Sequence, residues 1–177
     1  MPLLQAADSI LLCVDFQTRL MPAIHDADTL IGNAQRLRRG AELLDVPLLF
    51  TEQNPKGLGG TVADLAPDPS RTFVKMSFNA CRGTDLLARL PAGKTVLVTG
   101  AEAHVCVLQT VFGLLAAGRR VFVAIDAIGS RRPESRAAAI DRMMKEGAGM
   151  VTTEMVLFEW LESAEHPRFK DVIALVK

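Results

Sequence analysis

Val96-Leu-Val-Thr-Gly-Ala-Glu-Ala-His-Val-Cys-Val-Leu-Gln-Thr110 is an apolar run broken by a glycine and resumed at a cysteine. Val96 to Val98 show no polar alternation, the pattern of a strand buried on both faces. Gly100 ends it. From about His104 the apolar positions recur at helical spacing, which predicts a helix to about Ala117 with Gly118 as its cap. Cys106 then falls in the first helical turn, where free backbone N–H groups and the helix dipole favour a thiolate. A lone cysteine in an apolar helix is ordinarily a small core residue, so a nucleophile needs support from other strand ends.

Two other strand ends supply it. Asp15 follows the apolar run Ile10-Leu-Leu-Cys-Val14, and Lys75 follows Thr72-Phe-Val74. Each charge sits where a predicted strand closes and the crevice of an open α/β sheet lies. An acid, an ammonium and a thiol at three such ends make a candidate catalytic constellation. Short apolar runs at 10–14, 47–51, 72–75, 96–98, 120–125 and 150–153 alternate with helical stretches at about 27–44, 84–90, 104–117, 133–146, 154–161 and 167–176. That alternation predicts an α/β fold with a parallel sheet covered on both faces. The helix after Cys106 is apolar nearly all round, so neighbouring elements or a second subunit must cover it.

At 177 residues and 49% hydrophobic content, the chain fills one core and is expected to form a single domain over residues 1–177. Its 20 basic and 20 acidic residues cancel, so no net field recruits nucleic acid or an anionic membrane. Tyrosine is absent and tryptophan occurs once, which leaves little for base stacking. No apolar run is long enough to span a membrane, and the first eight residues lack the basic region of a signal peptide. The three cysteines and three histidines show no metal-ligand spacing. Reduced thiols, a cytoplasmic location and no metal or other cofactor are the expectation. The glycines of Glu52-Gln-Asn-Pro-Lys-Gly-Leu-Gly-Gly60 suggest a loop, but no Gly-Lys-Ser or Gly-Lys-Thr makes it a phosphate cradle.

Four motifs in order, Leu12-Cys-Val-Asp-Phe-Gln17, Thr51-Glu-Gln-Asn-Pro-Lys-Gly-Leu-Gly59, Phe73-Val-Lys-Met-Ser-Phe78 and Gly100-Ala-Glu-Ala-His-Val-Cys-Val107, carry a resemblance over nearly the whole chain. The sequence resembles the isochorismatase-like cysteine hydrolases. The resemblance implies a Rossmann-like three-layer α/β/α sandwich, its six parallel strands in order 3-2-1-4-5-6. It implies Asp15, Lys75 and Cys106 as a catalytic triad, and a non-proline cis peptide between Ala101 and Glu102. The backbone N–H groups of Glu102 and Cys106 would form an oxyanion hole, and Phe16, Gln17, Gln53, Phe78 and Ala101 would line a pocket for a small-molecule substrate. It also implies a homo-oligomer, a dimer or tetramer. Nicotinamidases of the same superfamily bind a metal through histidines between the second and third strands. Residues 52–71 contain none, so metal-dependent activity of that kind is not expected. The implied reaction is hydrolysis of a small amide through a thioester, and the alternative is a catalytically silent scaffold with the same fold.

Overall fold

Strands β1 (Ser9–Val14) and β4 (Thr95–Ala101) run parallel at the centre of the sheet with every residue buried. Helices cover both faces, which is why both strands read as apolar runs. β2 (Leu48–Gln53) and β3 (Thr72–Lys75) extend the sheet beyond β1; β5 (Val121–Gly129) and β6 (Gly149–Val151) extend it beyond β4. The result is a six-stranded parallel sheet in the order β3-β2-β1-β4-β5-β6, as the resemblance implies. The computed structural model describes residues 3–177.

Successive residues of the central strands feed two cores. Leu11, Cys13, Leu97 and Ala101 share one with residues of α1 (Ala27–Leu43) and α6 (Thr153–Leu161), among them Leu37, Leu157 and Trp160. Ile10, Leu12, Val96 and Val98 share the other with Val111 and Leu114 of α4 (Leu108–Ala116) and Met143 of α5 (Pro133–Lys145). Each fully buried aliphatic side chain contributes about 1.5–3 kcal/mol, so this two-sided filling fixes the register of the sheet. Part of the apolar surface of α4 is met within the chain: the Arg142 guanidinium lies 5.4 Å from the centroid of Phe112.

Four strand ends differ from the sequence-based expectation, for β2 runs on to Gln53 and β4 runs through Gly100 to Ala101. β5 runs past Asp126, because its register against β4 slips: Val98 pairs with Val123, but Gly100 pairs with Ile128. Side chains from other elements hold this bulge. Asn33 Nδ2 donates to the Asp126 carbonyl at 2.8 Å, and Arg136 donates to the carbonyls of Ile125 and Ile128. β6 stops at Val151 because Thr152 caps α6, its hydroxyl accepting from the Met155 N–H.

The glycine-rich segment after β2 is tied down. It contains a short helix, α2 (Pro55–Leu58), and docks on the chain that leaves β1. Thr18 N–H donates to Gly60, Arg19 N–H to Leu58, and Val62 N–H to Phe16. Two further short helices, α3 (Leu86–Arg89) and α7 (Phe169–Ile173), are briefer than their sequence patterns suggest. Among the described residues no helix is long and apolar enough to cross a membrane.

Candidate active site

Asp15 follows β1 with φ of +52°, a left-handed conformation that breaks the strand's alternation and that aspartate tolerates better than a branched residue. The neighbouring strand makes room for it. Gly100, with φ of +135°, packs so closely on Val14 that a Cβ there would lie 2.1 Å from the Val14 carbonyl oxygen. Only glycine fits, since the obstacle is backbone. Gly100→Ala is expected to lose about 3 kcal/mol of stability, read as a lowered urea midpoint. An unchanged midpoint would mean that β1 and β4 separate freely.

Asp15 and Lys75 form an ion pair of 2.7 Å whose side chains have no solvent exposure. A buried pair holds only where its remaining donors and acceptors are met, and here β2 meets them. Thr51 Oγ1 donates to Asp15 Oδ1 at 2.6 Å, while Gln53 Oε1 accepts from Lys75 Nζ at 2.9 Å. Sheet register explains both contacts, because Thr51 pairs with Val14, just before Asp15, and Gln53 pairs with Lys75. The Gln53 amide is itself aimed by donation from Nε2 to the Met76 carbonyl at 2.7 Å.

Cys106 lies near enough to this pair for both charges to act on its thiol. It lies in a π-helical turn, Ala103–Val107, ahead of α4 rather than in the first turn of an α-helix. The N–H groups of Val105 and Val107 both donate to the Glu102 carbonyl, which widens the turn. Burial, then the charge of Asp15, push the Cys106 thiol up to about 12, against the opposite pull of Lys75. Desolvation thus favours the thiol, against the thiolate that a helix N-terminus favours. Of the other cysteines, buried Cys13 is pushed up further by desolvation, and Cys81 rises to about 11.

The Ala101–Glu102 peptide is cis. Arg131 donates to both oxygens of the Glu102 carboxylate, at 2.8 and 3.2 Å, and His104 Nδ1 lies 3.0 Å from Ser130 Oγ. These contacts tie the turn that carries Cys106 to the end of β5. Among the described residues, the N–H groups of Glu102 and Cys106 take part in none of the loop or cap hydrogen bonds.

The sequence-predicted pocket residues divide. Phe16 is 1% exposed and belongs to the core shared with α1, and Ala101 is fully buried. Gln17 has no exposure either; its amide donates to the Gln53 and Gly59 carbonyls and accepts from the Gln53 N–H at 2.8 Å. Gln17 thus holds two loops together and presents no surface. Phe78 is 51% exposed and follows Val74 and Met76, exposed by 58% and 71%. Thr51 is the residue that the sequence reading missed. Its one signal is a hydroxyl near the end of an otherwise apolar strand. Among the described residues no cluster of three His, Cys, Asp or Glu side chains could hold a metal ion.

A model of the isochorismatase domain matches residues 9–155. The chain is 37% identical over 174 residues to isochorismatase domain-containing protein 1 of Salmo salar, covering 97% of this chain and 62% of that one. Thus it spans about 62% of the length of that relative. Among solved structures, the MAR1 ribonuclease of Caenorhabditis elegans superposes with a TM-score of 0.93 at 34% identity, over 99% of this chain and 92% of that one. The YcaC gene product of Escherichia coli, described as an octameric hydrolase of unknown specificity, matches with a TM-score of 0.85 at 25% identity, over 99% and 88% of the two chains.

Proposed function

Because this chain belongs to the isochorismatase family, we propose that it is a cysteine-dependent hydrolase that cleaves the C–N bond of a small amide. The observation that carries the reading is the buried Asp15–Lys75 pair near Cys106, whose two charges act in opposite directions on the thiol. Cys106 attacks the carbonyl as its proton passes to Asp15. Neutralising Asp15 removes a charge that held the proton on sulfur and leaves Lys75 beside the thiolate. The N–H groups of Glu102 and Cys106 hold the oxyanion. Protonated Asp15 then gives its proton to the departing amine and activates the water that hydrolyses the thioester.

A homo-oligomer is part of this reading. Val74, Met76 and Phe78 leave apolar surface along the sheet edge, and the similar Escherichia coli protein is described as an octamer. A second reading, RNA cleavage, rests on the name of the Caenorhabditis elegans relative. The balance of 20 basic and 20 acidic residues supports the small-molecule reading over it.

The test is a screen of p-nitrophenyl acetate, small aliphatic and aromatic amides, and single-stranded RNA against the wild-type chain and Cys106→Ala. Turnover of an ester or amide that vanishes in Cys106→Ala, with unchanged circular dichroism, is the expected result. Undiminished turnover by the variant would sink the covalent route, and cleavage of RNA alone would favour the second reading.

A further inference from the structure

Thr51 has no part in the covalent chemistry, yet its hydroxyl is one of the two donors on the Asp15 carboxylate among the described residues. Oδ1 accepts from Thr51 Oγ1 at 2.6 Å and Oδ2 accepts from Lys75 Nζ at 2.7 Å, with Thr51, Asp15 and the Lys75 side chain all without exposure. Lys75, from β3, is hydrogen-bonded to Asp15, and Cys106, in the turn after β4, lies near enough for its thiol to respond to both charges. Thr51, from β2, adds a neutral donor.

Building on the triad reading, we propose that Thr51 is a positioning residue that holds the shared proton on Cys106 until a substrate arrives. The group carries one mobile proton with two homes. In one, the thiol faces the Asp15 carboxylate; in the other, the S–H bond has broken, an O–H bond has formed on Asp15, and a thiolate faces Lys75. Net charge is the same in both, so local hydrogen bonds decide between them. Lys75 donates in either state and, as an ammonium, cannot accept. The Thr51 hydroxyl gives a charge-assisted bond to the carboxylate but only a neutral one to the protonated acid. Charge-assisted bonds are about twice as strong as neutral ones, so Thr51 favours the resting carboxylate and thiol. Its effect on reactivity runs through Asp15 and requires no contact with substrate.

The sign of the effect separates this role from a structural one. Thr51→Val keeps the side-chain shape and removes the hydroxyl, which tilts the proton toward Asp15 and frees thiolate. Alkylation of Cys106 by iodoacetamide at pH 8, read by peptide mass mapping, should accelerate on the order of tenfold. Thr51→Ser should restore the wild-type rate. In an Asp15→Asn background, Thr51→Val should change nothing, because the group through which it acts is gone. A rate that falls or stays the same in Thr51→Val, with Asp15→Asn still accelerating Cys106, overturns the role of Thr51 and spares the triad. A rate unmoved by Asp15→Asn overturns the triad coupling and the role of Thr51 with it.

Discussion

Asp15→Asn is expected to make Cys106 more reactive toward alkylating agents while sharply reducing hydrolysis. The thiol is pushed up to about 12 first by burial and second by the charge of the Asp15 carboxylate; Lys75 pulls the other way. The substitution removes the Asp15 contributions and leaves that of Lys75 intact. The midpoint for losing the thiol proton must then fall, and each unit of fall multiplies the thiolate at pH 8 by about ten. Lys75 loses its counter-ion in the same step, and the thiolate becomes the natural replacement. Turnover behaves oppositely. Asparagine can neither take the thiol proton nor return it to the leaving amine, so hydrolysis should drop by about 10²- to 10⁴-fold. Iodoacetamide rates and p-nitrophenyl acetate turnover, measured on the same preparation, check both halves. If both rates fall together, Asp15 only supports the fold and the proton-transfer scheme fails.

The three groups that make up this chemistry were legible in the sequence because each follows an apolar run. A charge directly after Ile10 to Val14 has no place in a strand buried on both faces, and Lys75 closes a short strand whose other face, at Val74, is open. The sheet order followed from the four motifs and their resemblance. What the sequence concealed depends on register. Thr51 is an ordinary strand residue until the pairing of Thr51 with Val14 sets its hydroxyl beside Asp15. Gln17 and Gln53 carry the same side chain in successive motifs. Only the structure shows that one amide is consumed by backbone and the other is divided between Lys75 and the Met76 carbonyl. Asp126 looked like a strand end because the bulge in β5 comes from a register shift against β4, and pattern along a single strand does not encode it. What raises the Cys106 thiol was hidden for a similar reason. Position in a turn is local, whereas desolvation by the surrounding core is not.

Lys75→Met tests how far the fold itself depends on this site. Methionine has a similar length and no charge, so the change leaves the Asp15 carboxylate buried with Thr51 as its remaining donor among the contacts above. Breaking a buried pair in this way costs about 3–5 kcal/mol, a large part of the roughly 5–15 kcal/mol by which a domain is stable. The thiol should also become harder to ionise, since the one charge that lowers its proton affinity is gone. The variant is therefore expected to show a much reduced urea midpoint and an iodoacetamide rate at pH 8 below that of the wild type. The double variant Asp15→Asn with Lys75→Met separates the two losses. With both charges removed, no uncompensated ion remains inside, and most of the stability should return. Hydrolysis should not return, because neither the proton acceptor nor the cation beside the thiolate is present. A double variant as unstable as Lys75→Met would show that the ammonium stabilises the fold through its other contacts, chiefly the 2.9 Å hydrogen bond to Gln53, rather than as the counter-ion of Asp15.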